Sequence, residues 1–92
     1  MEFDWDVHNL DKNWKKHQVM QEEAEEIFGQ GLFLGPAKSD REERFAVIGK
    51  TTKGRVLSVI YTLRENKFRI ISARDASRKE RTIYEKKIKE TA

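Results

Sequence analysis

The fold of this chain is decided near its C-terminus by the stretch FRIISAR, residues 68–74, and by the motif that follows it. The aromatic and β-branched residues of this stretch predict a β-strand over residues 67–73. Ser77, with Glu80 three residues later, is a capping box that predicts the start of a final helix. Two arginines belong to the strand stretch, and further cations follow in the helix. Because guanidinium groups bind phosphate through paired hydrogen bonds, this strand and helix favour RNA or DNA as a partner.

Two further strands are predicted just before this one, over residues 43–49 and 55–62. The polar segments 51–54 and 64–66 are short enough to be hairpin turns, so the three strands should form an antiparallel meander.

The first half of the chain is predicted to hold shorter elements. They are a strand at 2–5, a helix from an N-cap at Asp6 to Lys16, a helix within 20–28, a possible strand at 32–34 and a loop at 38–42. The resulting order, β-α-α-(β)-β-β-β-α, predicts an α+β fold in which an antiparallel sheet carries helices mostly on one face.

The large apolar residues are predicted to form the core. In the first two thirds of the chain they are Phe3, Trp5, Trp14, Phe28 and Tyr61. The final helix is predicted to bury Ile83, Tyr84 and Ile88.

Length and composition restrict the class of protein. Ninety-two residues predict one domain over 1–92. The chain has no cysteine, which excludes disulfides and thiolate zinc sites. It has no apolar run long enough to span a bilayer, and its N-terminus is acidic where a signal peptide would be basic. We therefore expect a soluble, cytoplasmic protein that does not associate with a membrane.

Charge is distributed unevenly along the chain. Residues 1–28 hold three Lys or Arg against eight Asp or Glu, whereas residues 64–92 hold ten against five. A polyanion would be drawn to the C-terminal part, and a basic protein could meet the acidic N-terminal third.

An ordered set of short motifs runs through nearly the whole chain. They are Trp5-Asp6, Asn13, Lys16-His17, Val19, Glu22-Glu23-Ala24, Phe28, Glu43-Arg44, Ile48-Gly49, Gly54-Arg55, residues 69–74, Ala76, Glu80-Arg81 and Tyr84. In this set the chain resembles the BrnT toxins of bacterial type II toxin–antitoxin pairs.

The resemblance implies a RelE-like fold, ribonuclease activity that halts translation, and a cognate BrnA-like antitoxin that neutralises the toxin. Operator DNA would be contacted only through the antitoxin. The chain departs from the family at Asn9, where lysine is common, and at Gln18, where glycine is common. The missing glycine predicts a different turn after His17.

RNA scission without a metal needs a base for the 2′-hydroxyl proton, cations for the charge that builds on the phosphate, and an acid for the departing 5′-oxygen. No cofactor is expected, and a metal site at Asp4, Asp6 and His8 is disfavoured because their directions should diverge. The catalytic candidates are Lys16, His17, Arg44 and Arg74. The RNA-binding candidates are Arg55, Arg69, Arg78, Lys79 and Arg81.

Each candidate also has a structural explanation. Lys16 and His17 fit the negative end of a helix, and the arginines fit an exposed sheet face or ion pairs. Arg69 and Arg74 are an odd number of residues apart, so they should point to opposite faces unless a bulge intervenes. A non-catalytic nucleic-acid binder or a protein-interaction module therefore remains an alternative to the ribonuclease.

Overall fold

A computed structural model of the chain describes residues 2–37 and 43–91. Its elements are β1 (Phe3–Asp4), α1 (Val7–His17), α2 (Gln21–Glu26), a 3₁₀ turn (Ile27–Gly29), β2 (Leu32–Ala37), β3 (Arg44–Lys50), β4 (Val56–Arg64), β5 (Lys67–Asp75) and α3 (Arg78–Thr91). This order confirms the α+β prediction. The predicted loop 38–42 lies outside the described residues.

The five strands form one sheet in the order β1-β5-β4-β3-β2. The meander of β3, β4 and β5 is antiparallel, as predicted. Its second turn holds Glu65 and Asn66 at φ 52° and 65°, the left-handed geometry that closes a two-residue hairpin.

The sheet is not wholly antiparallel as predicted, because one outer strand pairs in parallel. β1 pairs with β5 in parallel, so the sheet is mixed. These two strands are far apart in the chain, so no short hairpin imposes an antiparallel pairing on them. β2 is longer than the predicted strand and contains Pro36, which is tolerated because β2 is an edge strand.

Helices cover both faces of the sheet, which corrects the prediction that they lie mostly on one. The main core packs α2 and the 3₁₀ turn against one face, through Ala24, Ile27, Phe28, Val47, Leu57, Val59, Tyr61 and Ile70. A smaller cluster joins α3 to the other face through Ile48, Val56, Ala76 and Tyr84. Neighbouring residues of β3 and β4 point to opposite faces and both are apolar, so each face needs a cover.

α1 covers an edge of the sheet with its polar side. β1 pairs only with Phe68 and Arg69 of β5, so the backbone N–H and C=O groups of the following β5 residues have no neighbouring strand on that edge. Asn9, Lys12 and Asn13 satisfy that edge: their side chains bond to Ile70 O, Ile71 O and Ala73 N at 3.4, 3.1 and 3.2 Å. Side chains thus replace a neighbouring strand, and Asn13 is buried to do so.

Three of the predicted core residues, Trp14, Ile83 and Ile88, are exposed, so these core predictions are wrong. Trp14 is 54% exposed because α1 turns its polar side, not its apolar stripe, towards the sheet. Ile83 and Ile88 are exposed too, since α3 reaches the core only through Tyr84. The predictions that Phe28 and Tyr61 are core residues are confirmed. No helix in the described part of the chain combines the length and apolar content needed to cross a bilayer.

Candidate nucleic-acid interface

A register shift in β5 brings the strand arginines to one face of the sheet. Ile60 pairs with Ser72 and Tyr61 pairs with Ile70, which leaves Ile71 as an extra residue. Arg74 therefore lies opposite Ser58, and Arg69 lies opposite Thr62. Ser58 and Thr62 are four residues apart on β4 and share a face, so the two arginines do as well.

Arg44 joins them on that face. Ala46 pairs with Ile60, so the residue two positions earlier in β3 points the same way as Thr62 and Ser58. We call this side the arginine face; it is the face opposite α2 and the main core. Arg69 and Arg74 are separated by four residues of β4, roughly 13 Å, so they would contact different phosphates of a bound strand.

Arg74 is held by a two-pronged ion pair with Glu80. Nη1 donates to Glu80 Oε1 at 2.8 Å and to Asp75 O at 3.0 Å, and Nη2 donates to Glu80 Oε2 at 3.1 Å. These bonds use three of the five guanidinium N–H donors. No described residue accepts from the other two, and 41% of the side chain is exposed.

The Glu80 carboxylate joins the end of β5 to β4 and to the start of α3. Its carboxylate accepts from the Ser77 backbone N–H, which closes the predicted capping box, and from the Ser58 hydroxyl. Burial alone would raise the pKa of Glu80, but the bonds from Arg74, Ser77 and Ser58 outweigh it and lower that pKa to about 2. Glu80 is therefore ionised at neutral pH and holds the Arg74 guanidinium through the two-pronged ion pair.

Arg55 has a different environment, because protein groups engage all five of its donors. Nε and Nη2 bond to the Asp75 carboxylate at 2.7 and 3.3 Å, and Nη1 faces Glu23 at 3.4 Å. Nη1 and Nη2 also donate to Gln18 O and His17 O, each at 2.8 Å. Arg55 thus clamps the end of α1 and has no donor left for a phosphate.

The clamp explains the turn after His17. Gln18 is the C-cap of α1 at φ 54°, the left-handed conformation that glycine adopts most easily. The chain forms the left-handed turn that glycine favours, with glutamine in that position. Arg55 bonds to the carbonyls of both residues and supports the strained position.

Asp75, at the C-terminal end of β5, is surrounded by cationic side chains. Its pKa is lowered by the hydrogen bond from Arg55 and further by the charges of Arg55, Arg81 and His17. The half-buried His17 therefore lies at the same end of β5 as Arg74, but beside Asp75, which pairs with Leu57 and points to the main-core face, whereas Arg74 points to the arginine face. Lys16, on the preceding position of α1, is exposed and pairs with no described residue.

Arg69 is less available than Arg74. It faces Asp4 and Asp6, with Nε 3.9 Å and Nη2 3.4 Å from their carboxylate oxygens, and its side chain is only 20% exposed. The expectation that Asp4 and Asp6 diverge is wrong, because both turn to this arginine. Asp6 also caps α1 as predicted, and the bonds it accepts from His8 and Asn9 lower its pKa.

Within residues 2–37 and 43–91, no three His, Asp or Glu side chains are placed to hold a metal ion.

The start of α3 extends the cationic surface. Arg78, Lys79 and Arg81 are exposed in its first turn, where Glu80 is the sole acidic residue. Cations at a helix N-terminus oppose the helix dipole. Their presence there is unfavourable for the helix itself, which favours a role in binding.

Sequence reasoning did not identify three members of this site, Asp75, Ser58 and Glu23. No local pattern marks them as partners of arginines. The one signal in the sequence was the place of Asp75 directly after Arg74, at the end of the predicted strand.

Comparisons with known proteins agree with this architecture. Residues 5–80 match the family model described as "Ribonuclease toxin, BrnT, of type II toxin-antitoxin system". The fold is similar to the 1.1 Å crystal structure of the Brucella abortus ribonuclease toxin BrnT. The TM-score is 0.68 at 26% identity, over 85% of this chain and 99% of that one. No curated protein sequence matches the chain.

Proposed function

The chain belongs to the BrnT family of ribonuclease toxins of type II toxin–antitoxin systems, and from this premise we propose that it is an endoribonuclease that cleaves RNA without a metal. By cutting RNA it halts translation, and a cognate antitoxin of the BrnA type neutralises it. Operator DNA is reached only through that antitoxin. The protein acts as a single domain over residues 1–92, in the cytoplasm.

The observation that carries this proposal is the shift at Ile71. It brings Arg69 to the face that already carries Arg44 and Arg74, opposite α2 and next to the cationic first turn of α3. An RNA backbone laid along this face meets guanidinium groups at separate phosphates.

Arg74 is the best placed of the candidates to act on the scissile phosphate. Glu80 fixes its orientation, while two N–H donors remain for phosphate oxygens. Arg78, Lys79 and Arg81 of α3, together with Arg69, guide the flanking backbone. Arg55 supports the site indirectly by holding the end of α1.

His17 and Lys16 supply proton transfer and charge at the end of β5. In the proposed reaction the 2′-oxygen loses its proton and attacks the phosphorus, the bond to the 5′-oxygen breaks, and the departing 5′-oxygen gains a proton. The products are a 2′,3′-cyclic phosphate and a free 5′-hydroxyl. The imidazole carries one of these two proton transfers and solvent water carries the other. Lys16 and Arg74 stabilise the charge on the scissile phosphate, and Arg44, level with Arg69 at the other end of the face, binds a neighbouring phosphate.

The experiment follows cleavage of a labelled single-stranded RNA in excess EDTA. We expect the wild-type protein to cut, and Arg74→Ala to reduce the rate by roughly two orders of magnitude or more, as the loss of a charge-stabilising donor does in other enzymes. His17→Ala should lower the rate and change its pH profile.

Lys87→Ala is the control, because it removes a cation from the far end of α3. Circular dichroism establishes that each variant is folded. An Arg74→Ala protein that is folded and fully active would remove the proposed site, and activity that disappears in EDTA would remove metal independence.

A further inference from the structure

An exposed apolar strip runs along α1 to the start of α2, on Val7, Leu10, Trp14 and Met20. Val7 is 76% exposed, Trp14 54% and Met20 52%. The strip cannot turn inward, because the opposite side of α1 is bonded to β5 through Asn9, Lys12 and Asn13. Apolar side chains held outward by a polar docking face are typical of an interaction surface.

Two adjoining grooves shape this surface. Leu10, Trp14 and Val19 form the apolar wall of the first, a shallow, open groove of about 250 Å³ that ends at Met20 and Glu22. Its volume lies below the roughly 300–1,000 Å³ of small-molecule sites, so it suits a few protein side chains. The second groove continues from Met20 and Glu22 along the acidic side of α2 to the turn at residues 51–53.

The charges along the grooves restrict the occupant. Glu22 lies in both, is exposed, and has no ion pair or hydrogen bond with the described part of the chain. Glu23 and Glu26 add carboxylates to the second groove, against one cation in its lining, Lys53. Residues 1–28 as a whole hold eight acidic residues against three lysines. This surface repels a nucleic acid and attracts a cationic protein.

We propose that this α1–α2 surface binds a partner protein through an amphipathic helix that is apolar on one side and rich in Lys and Arg on the other. Apolar side chains of that helix fill the groove beside Trp14, and its cations reach Glu22 and Glu26. Apolar anchors at helical spacing are the usual way in which a groove recognises such a helix. The proposal does not depend on RNA cleavage, because peptide binding is measured without RNA, although the surface adjoins Lys16 and His17 at the end of α1.

The test uses a fluorescein-labelled synthetic peptide of about 15 residues, with Leu at helical spacing and Lys and Arg elsewhere. A second peptide carries Glu in place of every Lys and Arg. Binding to the full chain is followed by fluorescence anisotropy. The basic peptide should bind at least about tenfold more tightly than the acidic one, since the grooves carry negative charge.

Two variants probe the two halves of the surface. Trp14→Ala and Glu22→Lys should each weaken binding of the basic peptide about tenfold, since a central tryptophan and a complementary charge dominate such contacts. Leu63→Ala, which removes an apolar side chain of similar exposure (55%) at the far end of β4, should leave the affinity unchanged. Met20→Ala provides a second apolar probe if Trp14→Ala does not fold.

Three results would overturn the proposal: no binding of the basic peptide, equal binding of both peptides, or equal binding by the folded Trp14→Ala and Met20→Ala variants. Sedimentation velocity adds a fourth, because self-association that Trp14→Ala abolishes would assign the surface to a second copy of this chain. RNA cleavage by the same variants is measured separately. Failure of the ribonuclease proposal would leave the peptide result intact, and the reverse also holds.

Discussion

Replacing Glu80 by glutamine should destabilise the protein at neutral pH and much less in acid. Its bonds to Arg74, Ser77 and Ser58 hold the pKa at about 2, against an ordinary value of 4.5. At 1.36 kcal/mol per pH unit this gap corresponds to about 3 kcal/mol. A quarter of the side chain, 24%, is exposed, so solvent screening reduces the expected contribution to about 2 kcal/mol.

The sign of the pH dependence follows from the direction of the shift. Folding lowers the pKa of Glu80, so the stabilisation is complete above the unfolded value of 4.5 and is lost as the pH falls towards 2. Urea unfolding at pH 7 should show Glu80→Gln to be about 2 kcal/mol less stable than wild type. At pH 3 the difference should shrink to about 1 kcal/mol or less.

Glu85→Gln is the control for this experiment. It makes the same substitution in the same helix at an exposed residue, and we expect less than about 0.5 kcal/mol at either pH. A difference between wild type and Glu80→Gln that is equal at pH 7 and pH 3, or absent at both, would refute the reasoning from ion pairing.

Three further outcomes are expected. Arg55→Lys loses the bonds to the His17 and Gln18 carbonyls, so amide hydrogen exchange at the end of α1 should accelerate about tenfold. Exchange in the rest of the chain should stay as in the wild type. Exchange at the end of α1 that is as slow as in the wild type would contradict the clamp. Gln18→Gly should raise the free energy of unfolding by up to about 1 kcal/mol in urea titrations, because glycine adopts φ 54° without strain. A lower free energy of unfolding would indicate that the glutamine side chain stabilises the protein by more than its backbone strain destabilises it. Asn13→Ala leaves the buried Ala73 N–H without an acceptor and should cost about 1–3 kcal/mol by the same assay, and an unchanged midpoint would show that α1 is not needed to cover this edge.

The sequence by itself determined the element types, their order and several of their ends. Capping by Asp6, the box of Ser77 and Glu80, and the turn at Glu65 and Asn66 are each encoded within a few neighbouring residues. Such signals need no information from elsewhere in the chain. The ordered motifs indicated the family for the same reason, because they are read along the chain without knowledge of contacts.

Only the tertiary structure decided which charged side chains share a face of the sheet and which form ion pairs. Side chains alternate along a strand, so a single extra residue at Ile71 moves Arg69 to the face of Arg74, and strand pairing rather than local composition places that residue. The engagement of Arg55 by Asp75 likewise depends on segments about twenty residues apart. The exposure of Trp14 has a similar origin: its helical period was readable, but the free edge of β5 made the polar side of α1 the one that docks.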